Sequence, residues 1–442
     1  MKESSLTRQV TLNANDTNKQ MVRIVQKKHS WHSFIRAMRV EKFITASLLL
    51  ACLLISCSPA ISSPAASSTP RPTVTPSAMP CTVHYAPAAP PALSAKFEGR
   101  AHISGLDGAP VTIVVFSHYQ CPVCAYQAAI LKQLRLAHPD DLRFVYLHAP
   151  QVDQDKDALA IQAAEAADLQ GRFWDMHDLL FEKLSEWTDL PPADFEAWAA
   201  EQASGLGMDA TRFRSDFAGD AVSERLQQAL QSAAAIQSSP LPLMYVNSDV
   251  PYTSLADFAS LDAVVRLYAL TALQFSSCPA WVIDPLKQYI ASLHTARGDI
   301  VIQLFPDKAP LAVNNFVFLA RNGWYDGITW QRVLPGFVAQ SGDPSGTGQG
   351  NPGYYFVTEA APGLRFDHAG VVAMVNTGVD TNGGQFFITY APEPQLDDRY
   401  TIFGEVLSGM DVLANLTPRD ASTPGVVLPA GDELISVTVE ER

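Results

Sequence analysis

Two cysteines three positions apart, Cys121 and Cys124, stand out in this 442-residue chain as a pair whose type and spacing could do chemistry. In Cys121-Pro122-Val123-Cys124, Pro122 pre-sets the first turn of a helix. Cys121 is then expected at the helix N-terminus, where unpaired N–H groups and the helix dipole favour a thiolate. Cys124, one turn on, is placed to attack a mixed disulfide on Cys121 and release it. The competing chemistry is zinc binding by His118, Cys121 and Cys124. It lacks a fourth ligand and a second Cys-x-x-Cys, and neither metal nor cofactor is expected. Setting aside Cys52 and Cys57 near the N-terminus, Cys81 and Cys278 complete an even set suited to an oxidising compartment. A structural disulfide between them is expected, tying residues before the first domain to the junction after it.

The elements that must hold the cysteine pair are legible around it. Val111–Phe116 is apolar, continuous and β-branched, the pattern of a strand buried on both faces. A helical stretch follows the cysteines, offering Ala128, Leu131, Leu134 and Leu136 to its buried side until His138-Pro139 stops it. Leu142–Leu147 reads as a second buried strand. Strand, Cys-x-x-Cys, helix, strand is the βαβ context in which this spacing means redox chemistry. At this point residues 97–275 resemble the thioredoxin superfamily, specifically its DsbA-like branch. Helical pattern over about 153–235, with Phe173, Met176, Leu180, Leu184 and Trp187 at spacings of three and four, is similar to that branch's helical insertion. Leu241-Pro242-Leu243-Met244-Tyr245-Val246-Asn247 is similar to the stretch that carries a cis-proline before a strand. The resemblance implies that Pro242 is cis and faces the cysteines and that Leu241 binds substrate backbone, with a second proline at 240. Val123 stands where strong oxidants of the branch carry histidine, which leaves oxidase, isomerase and reductase roles open.

From Tyr289 onward the composition turns Gly-rich. Asp299–Phe305 is strand-like, and Pro310 opens a helix whose Val313, Phe316, Val317 and Ala320 share a face. Short β runs between Gly/Pro turns follow, which predicts a closed barrel or sandwich. Three blocks resemble the cyclophilin peptidyl-prolyl isomerases: Trp330–Asp343 (WQRVLPGFVAQSGD), Val372–Asn376 with Gly384–Thr389, and Leu396–Gly404 (LDDRYTIFG). The resemblance implies a closed β-barrel with flanking helices over 289–442. Residue by residue, it implies that Arg332 is the catalytic arginine, Phe337 and Phe387 are aromatic walls of a proline pocket, and Leu396 is its aliphatic wall. Gln340, Asn376 and Gln385 match groups that hydrogen-bond substrate backbone. Val338, Val375, Gln395 and Tyr400 replace a methionine, an alanine, a tryptophan and a histidine of the familiar eukaryotic pattern, which implies altered sequence preference. The glycine run Gly342–Gly353 contains no Gly-Lys-Ser/Thr and lacks dinucleotide-loop spacing. It reads as a loop beside the site.

Charge and the N-terminus place the molecule. Lys+Arg 31 against Asp+Glu 45 gives −14 and excludes nucleic acid as an expected partner. Residues 1–37 carry seven basic and two acidic side chains, whereas 58–442 carry 22 and 42. The apolar run Phe43–Ile55 is thirteen residues, short for a membrane span of about 20 but fitting for a secretory signal. Leu54-Ile55-Ser56-Cys57 resembles a bacterial lipoprotein cleavage box, which implies cleavage before Cys57 and a lipid on its sulfur. The awkward stretch 1–37 ahead of a compact signal points to Met38 as an alternative start. Residues 58–96, rich in Pro, Ser, Ala and Thr, read as an extended spacer, and 276–288 as an interdomain linker. The expected organisation is a multidomain chain, an α/β thioredoxin fold with helical insertion followed by the cyclophilin-like barrel. Expected activity is prolyl isomerisation coupled to thiol–disulfide exchange, held at the cell envelope. Expected partners are unfolded or proline-containing extracytoplasmic clients, the membrane through the lipid, and a membrane redox partner. The alternative is a membrane-tethered disulfide oxidoreductase whose second domain only binds clients.

Overall fold

The computed structural model describes residues 77–85, 98–151, 153–236, 239–252, 256–421 and 428–442. The apolar run Phe43–Ile55, Met38, Cys52, Cys57 and most of the spacer lie outside them. No helix among the described residues is long and apolar enough to cross a membrane. All described residues fall within one unit, Val74–Arg442.

After the short strand β1 (Thr82–Val83), the first domain is built on β2 (His102–Ser104), β3 (Val111–Ser117), β4 (Leu142–His148) and β5 (Leu243–Val246), in the order β2-β4-β3-β5. β3 and β4 are parallel and joined through helix α1 (Pro122–Ala137), while β2 and β5 run antiparallel to their neighbours. Strand alternation explains the unbroken apolar run of β3. Ile113 and Val115 enter one core with Phe144, Tyr146 and the helices, whereas Val114 and Phe116 enter another with Val145, Leu147 and Leu243. Between β4 and β5 come α2 (Asp157–Asp168), α3 (Phe173–Glu182), α4 (Leu184–Thr188), α5 (Pro192–Gly205), α6 (Ala210–Phe217) and α7 (Asp220–Ala235). Leu131 and Leu134 are buried, but Leu136 is 69% exposed. Two residues advance a helix by about 200°, so Leu136 cannot share Leu134's face. Helix α8 (Phe258–Ala269) and a 3-10 turn at Leu270–Ala272 close the domain.

The second sheet contains β6 (Tyr289–Thr295), β7 (Gly298–Leu304), β8 (Ile328–Thr329), β9 (Arg332–Leu334), β10 (Val338–Ser341), β12 (Val371–Met374), β13 (Phe386–Thr389), β14 (Ile402–Ser408), β15 (Arg419–Asp420) and β16 (Glu433–Glu441). Strand β11 (Tyr354–Tyr355) pairs with β1 instead. The ten strands run β15-β9-β10-β13-β12-β14-β7-β6-β16-β8. Register shifts in β12/β14, β14/β7 and β16/β6 bend the ladder. The expected closed barrel is not what forms: this is a curled half-barrel. Its end strands, Arg419–Asp420 and Ile328–Thr329, are two residues each, too short to extend a ladder to one another. Helix α9 (Pro310–Arg321) fills the concave side with Val313, Phe316 and Val317, all fully buried. Its first turn is capped by Glu359, whose carboxylate accepts the Leu311 and Ala312 N–H groups at 3.0 and 2.9 Å. A short helix α10 (Met410–Ala414) follows β14.

Cys81 and Cys278 are joined by a disulfide with Cα atoms 5.7 Å apart. Residues 276–282, part of the expected linker, form a strap. Val282 N–H donates to Asn314 Oδ1 of the second domain at 2.7 Å, and Trp281 and Val282 pack on that domain's core. Trp281 N–H donates to Ser77 O, ahead of the first domain, at 3.1 Å.

Candidate active sites

At the first site, Cys121 is the N-cap of α1, Pro122 its first residue, and the Cys124 N–H donates to Cys121 Sγ at 3.0 Å. The two cysteines are disulfide-bonded. Cys124 is 1% exposed and Cys121 9%, so Cys121 is the more accessible residue of the pair. The Leu241–Pro242 peptide bond is cis. Pro242 and Cys124 line one small cavity with Val115, Phe144, Tyr146 and Phe181. Leu241 packs partly buried against the same domain.

At the second site, register does the assembling. Across the sheet, Asp420, Arg332, Gln340, Phe387 and Ala373 are successive Cα partners on β15, β9, β10, β13 and β12. Partners in register share a face, so an arginine, a glutamine and a phenylalanine stand in one row. The next row, Val333, Ala339, Ile388 and Val372, enters the main core on the opposite face. On the outward face Phe387, Val338, Phe366, Ala373, Leu396 and Ile402 form a separate apolar cluster. Phe337, Val375 and Tyr400 pack partly buried on it. Phe387 stacks on Phe366 at 5.8 Å between centroids and meets Tyr400 edge-on at 5.3 Å. The result is an apolar cluster on the same face of the sheet as the arginine.

Arg332 is held but not consumed. Its Nε lies 3.3 Å from Asp420 Oδ1, and a third of its side chain remains exposed. Gln340 Nε2 donates to Gln385 Oε1 at 2.9 Å, which also accepts from Gln331 Nε2 at 3.1 Å. Gln385 in turn donates to Gly348 O and Gly350 O at 3.1 and 2.8 Å. These contacts fix which end of each amide points where, and they leave Gln340 Oε1 for an incoming donor. Asn376 Nδ2 donates to Arg399 O at 3.0 Å, at the rim beyond Val375. Gln395, which replaces a tryptophan of the eukaryotic pattern, is exposed.

A family description, cyclophilin type peptidyl-prolyl cis-trans isomerase, matches residues 290–435, and one for thioredoxin matches 98–263. Peptidyl-prolyl cis-trans isomerase A of Mycobacterium tuberculosis (strain ATCC 25618 / H37Rv) is 46% identical over 147 residues, 30% of this chain and 81% of that protein. The chain belongs to the cyclophilin-type peptidyl-prolyl cis-trans isomerases. Peptidyl-prolyl cis-trans isomerase-like 1 of Rhizopus delemar is similar to the cyclophilin domain at 46% identity over 127 residues, 28% of this chain and 77% of that protein. A solved cyclophilin-type isomerase from Cryptosporidium parvum is 32% identical, covering 35% of this chain and 98% of that one, with a TM-score of 0.32. Ahead of the cyclophilin domain stands a thioredoxin-like one.

Sequence reasoning missed the polar groups beneath both sites. In the cyclophilin domain it gave no role to Gln331 or Asp343. Asp343 is fully buried and accepts from Ser345 N, Gly348 N and Gly350 N at 2.9, 2.7 and 3.0 Å. An aspartate followed by Ser and Gly is a turn-forming pattern that could have flagged it. In the thioredoxin-like domain, fully buried Asp157 accepts from Gln120 N and Gln151 N, both at 2.9 Å, and pairs with His118 at 2.8 Å. It braces the turn entering Cys121.

Two groups there have metal-ligand composition. In the first, His118 with Cys121 and Cys124, both sulfurs are committed to the disulfide and His118 pairs with Asp157. His102 and His148 converge on one oxygen of Glu165, at 2.8 and 3.1 Å, while Arg225 takes the other at 2.7 Å. Burial opposes charge on Glu165, but the bonds from His102 and His148 hold its carboxyl far below the usual range. Burial likewise pushes His148 down. With arginine already on the carboxylate and His148 Nδ1 lacking an acceptor, the cluster reads as a buried ion-pair network.

Proposed function

We propose that this chain assists the folding of extracytoplasmic proteins, joining prolyl isomerisation to thiol–disulfide exchange. The row Arg332–Gln340–Phe387 carries the isomerase reading, with the apolar cluster around Phe387 offering the slot for a proline ring. Peptide-bond resonance sets a barrier of roughly 18–20 kcal/mol, and X–Pro isomerisation without a catalyst takes tens to hundreds of seconds. Phe337, Phe387 and Leu396 grip the proline ring. Gln340 and Asn376 hold the flanking backbone while the preceding carbonyl rotates. Gln385, matched by the resemblance to the same task, has its amide committed to Gln331, Gln340 and the glycine loop and so holds Gln340 instead. As the bond twists, the proline nitrogen becomes pyramidal and basic. The Arg332 guanidinium stabilises it there and not in the planar ground state, which is differential binding of the transition state by a fixed donor. Asp420 aims the guanidinium without burying it.

The redox reading is supported by Cys121 at the N-cap of α1, Cys124 one turn on, and cis Pro242 lining one cavity with Cys124, which suits a DsbA-like site. Cys121 is the attacking thiol and Cys124 resolves the mixed disulfide. The disulfide Cys81–Cys278, the signal-like run Phe43–Ile55 and the box ending at Cys57 support an oxidising, membrane-tethered location. Disulfide formation and proline isomerisation are both slow covalent-geometry steps in folding, so one chain carrying both chemistries serves the same client. The test is oxidative refolding of a reduced client that contains a native cis-proline. Arg332→Ala should slow the proline phase alone and Cys121→Ser the disulfide phase alone. A wild-type protein that accelerates neither phase refutes the proposal.

A further inference from the structure

The glycine run Gly342–Gly353 is gripped from two sides. From within the cyclophilin domain Asp343 gathers its N–H groups. From the thioredoxin-like domain, Arg266 of α8 donates through Nη1 to Ser345 O at 3.1 Å, and Gln274 Nε2 to Asn351 O at 3.0 Å. The Phe275 N–H donates to Pro352 O at 2.8 Å. Leu270, 3% exposed, belongs to the core of the cyclophilin sheet. One of the glycines is explained by this approach: a Cβ on Gly353 (φ +92°) would lie 2.4 Å from Phe275 O. A Cβ on Gly350 would first meet Asp343 Oδ1 at 2.0 Å, with Leu270 Cδ2 at 2.7 Å. The strap is stapled by Cys81–Cys278 and by β1, whose Thr82 and Val83 pair with Tyr355 and Tyr354.

The far side of the same loop faces the isomerase site. Gly348 O and Gly350 O are the acceptors that orient the Gln385 amide. Gln385 then orients Gln340. We propose that α8 and its strap are a positioning element of the isomerase site, setting the Gln385–Gln340 pair through the glycine loop. The proposal rests on the isomerase reading of that site. Arg266 and Leu270 touch no reacting atom. Their effect falls on backbone-holding groups that serve ground and twisted states alike, and so on KM. Arg332 is anchored by Asp420 at the other end of the row and is spared, which keeps kcat.

The experiment is a protease-coupled proline-peptide assay on the full chain, comparing wild type with Arg266→Ala, Arg266→Lys, Leu270→Ala and the double variant Cys81→Ser/Cys278→Ser. Arg266→Ala should raise KM roughly threefold to tenfold, the worth of one ordinary, partly solvated hydrogen bond, with kcat within about twofold. Arg266→Lys should recover most of the loss. The Arg266 side chain is 42% exposed, so its removal should leave the thermal midpoint in place, which separates positioning from general destabilisation. The double cysteine variant should shift KM in the same direction, and it keeps the test alive should Leu270→Ala fail to fold. An active wild type with unchanged KM in Arg266→Ala and in the double variant overturns the proposal and spares the isomerase reading. An inactive wild type overturns both.

Discussion

Replacing Gln385 by leucine keeps its bulk and removes four hydrogen bonds at once. It strips the acceptor from Gln331 and Gln340 and the donors from Gly348 O and Gly350 O. Gln340 is only partly buried and can turn to water. Gln331, 1% exposed, and the buried Gly350 cannot. Each orphaned buried group costs about 1–3 kcal/mol, so Gln385→Leu, which orphans two, should lose roughly 2–6 kcal/mol in the unfolding transition of the cyclophilin domain. Freed of its partner, Gln340 no longer presents Oε1 to substrate. KM for a proline peptide should therefore rise by about tenfold, more than kcat falls. Urea unfolding gives the first quantity and a protease-coupled assay the second. A variant that keeps both wild-type stability and wild-type KM would show that the amide network neither supports the sheet nor orients the substrate.

Other outcomes follow from single groups. Burial works against charge on His138, yet hydrogen bonds and charge from Asp141 and Asp262 raise its pKa to about 9. That lies above its unfolded value, so the contribution is complete below about pH 6.5 and lost as pH rises through about 9. His138→Gln should cost roughly 2 kcal/mol at pH 7 and nothing at pH 10; equal costs at both, by denaturant titration, contradict the assignment. Phe387→Ala opens the slot and removes the ring stacked on Phe366. It should cost about 3–5 kcal/mol of stability and abolish discrimination of proline peptides, and an unaltered KM would place the ring site elsewhere. Cys121→Ser should abolish insulin reduction and leave prolyl isomerisation intact, measured side by side. Metabolic lipid labelling should be lost in Cys57→Ala, and labelling that persists places the anchor elsewhere.

Much of this was legible in the sequence because the signals were local. The apolar run Val111–Phe116 declares a strand covered on both sides, and Pro122 between spaced cysteines declares a helix start. The blocks around Arg332, Gln385 and Leu396 carry their spacing on their face. What was not legible depends on partners far along the chain. Leu136 continues an apolar run, but only its angle from Leu134 shows that it meets solvent. Short β runs predict many strands without saying whether the first and last meet, and two-residue strands at β8 and β15 leave the sheet open. Leu270 reads as the tail of one domain and packs in the core of the next. Gly353 looks like an ordinary loop glycine until Phe275 is seen against it. Residues 276–282 look like linker because their hydrogen-bond partners, Ser77 and Asn314, are distant in sequence.

The decisive measurement is the kcat of Arg332→Ala against wild type on a proline tetrapeptide, with circular dichroism confirming the fold. Loss of one fixed donor to the twisted bond should cost roughly 10²–10³ in kcat, while KM changes little because the slot of Phe337, Phe387 and Leu396 remains. A folded variant with wild-type kcat would mean that the guanidinium is a surface charge and that the cyclophilin domain of this chain isomerises proline by other means.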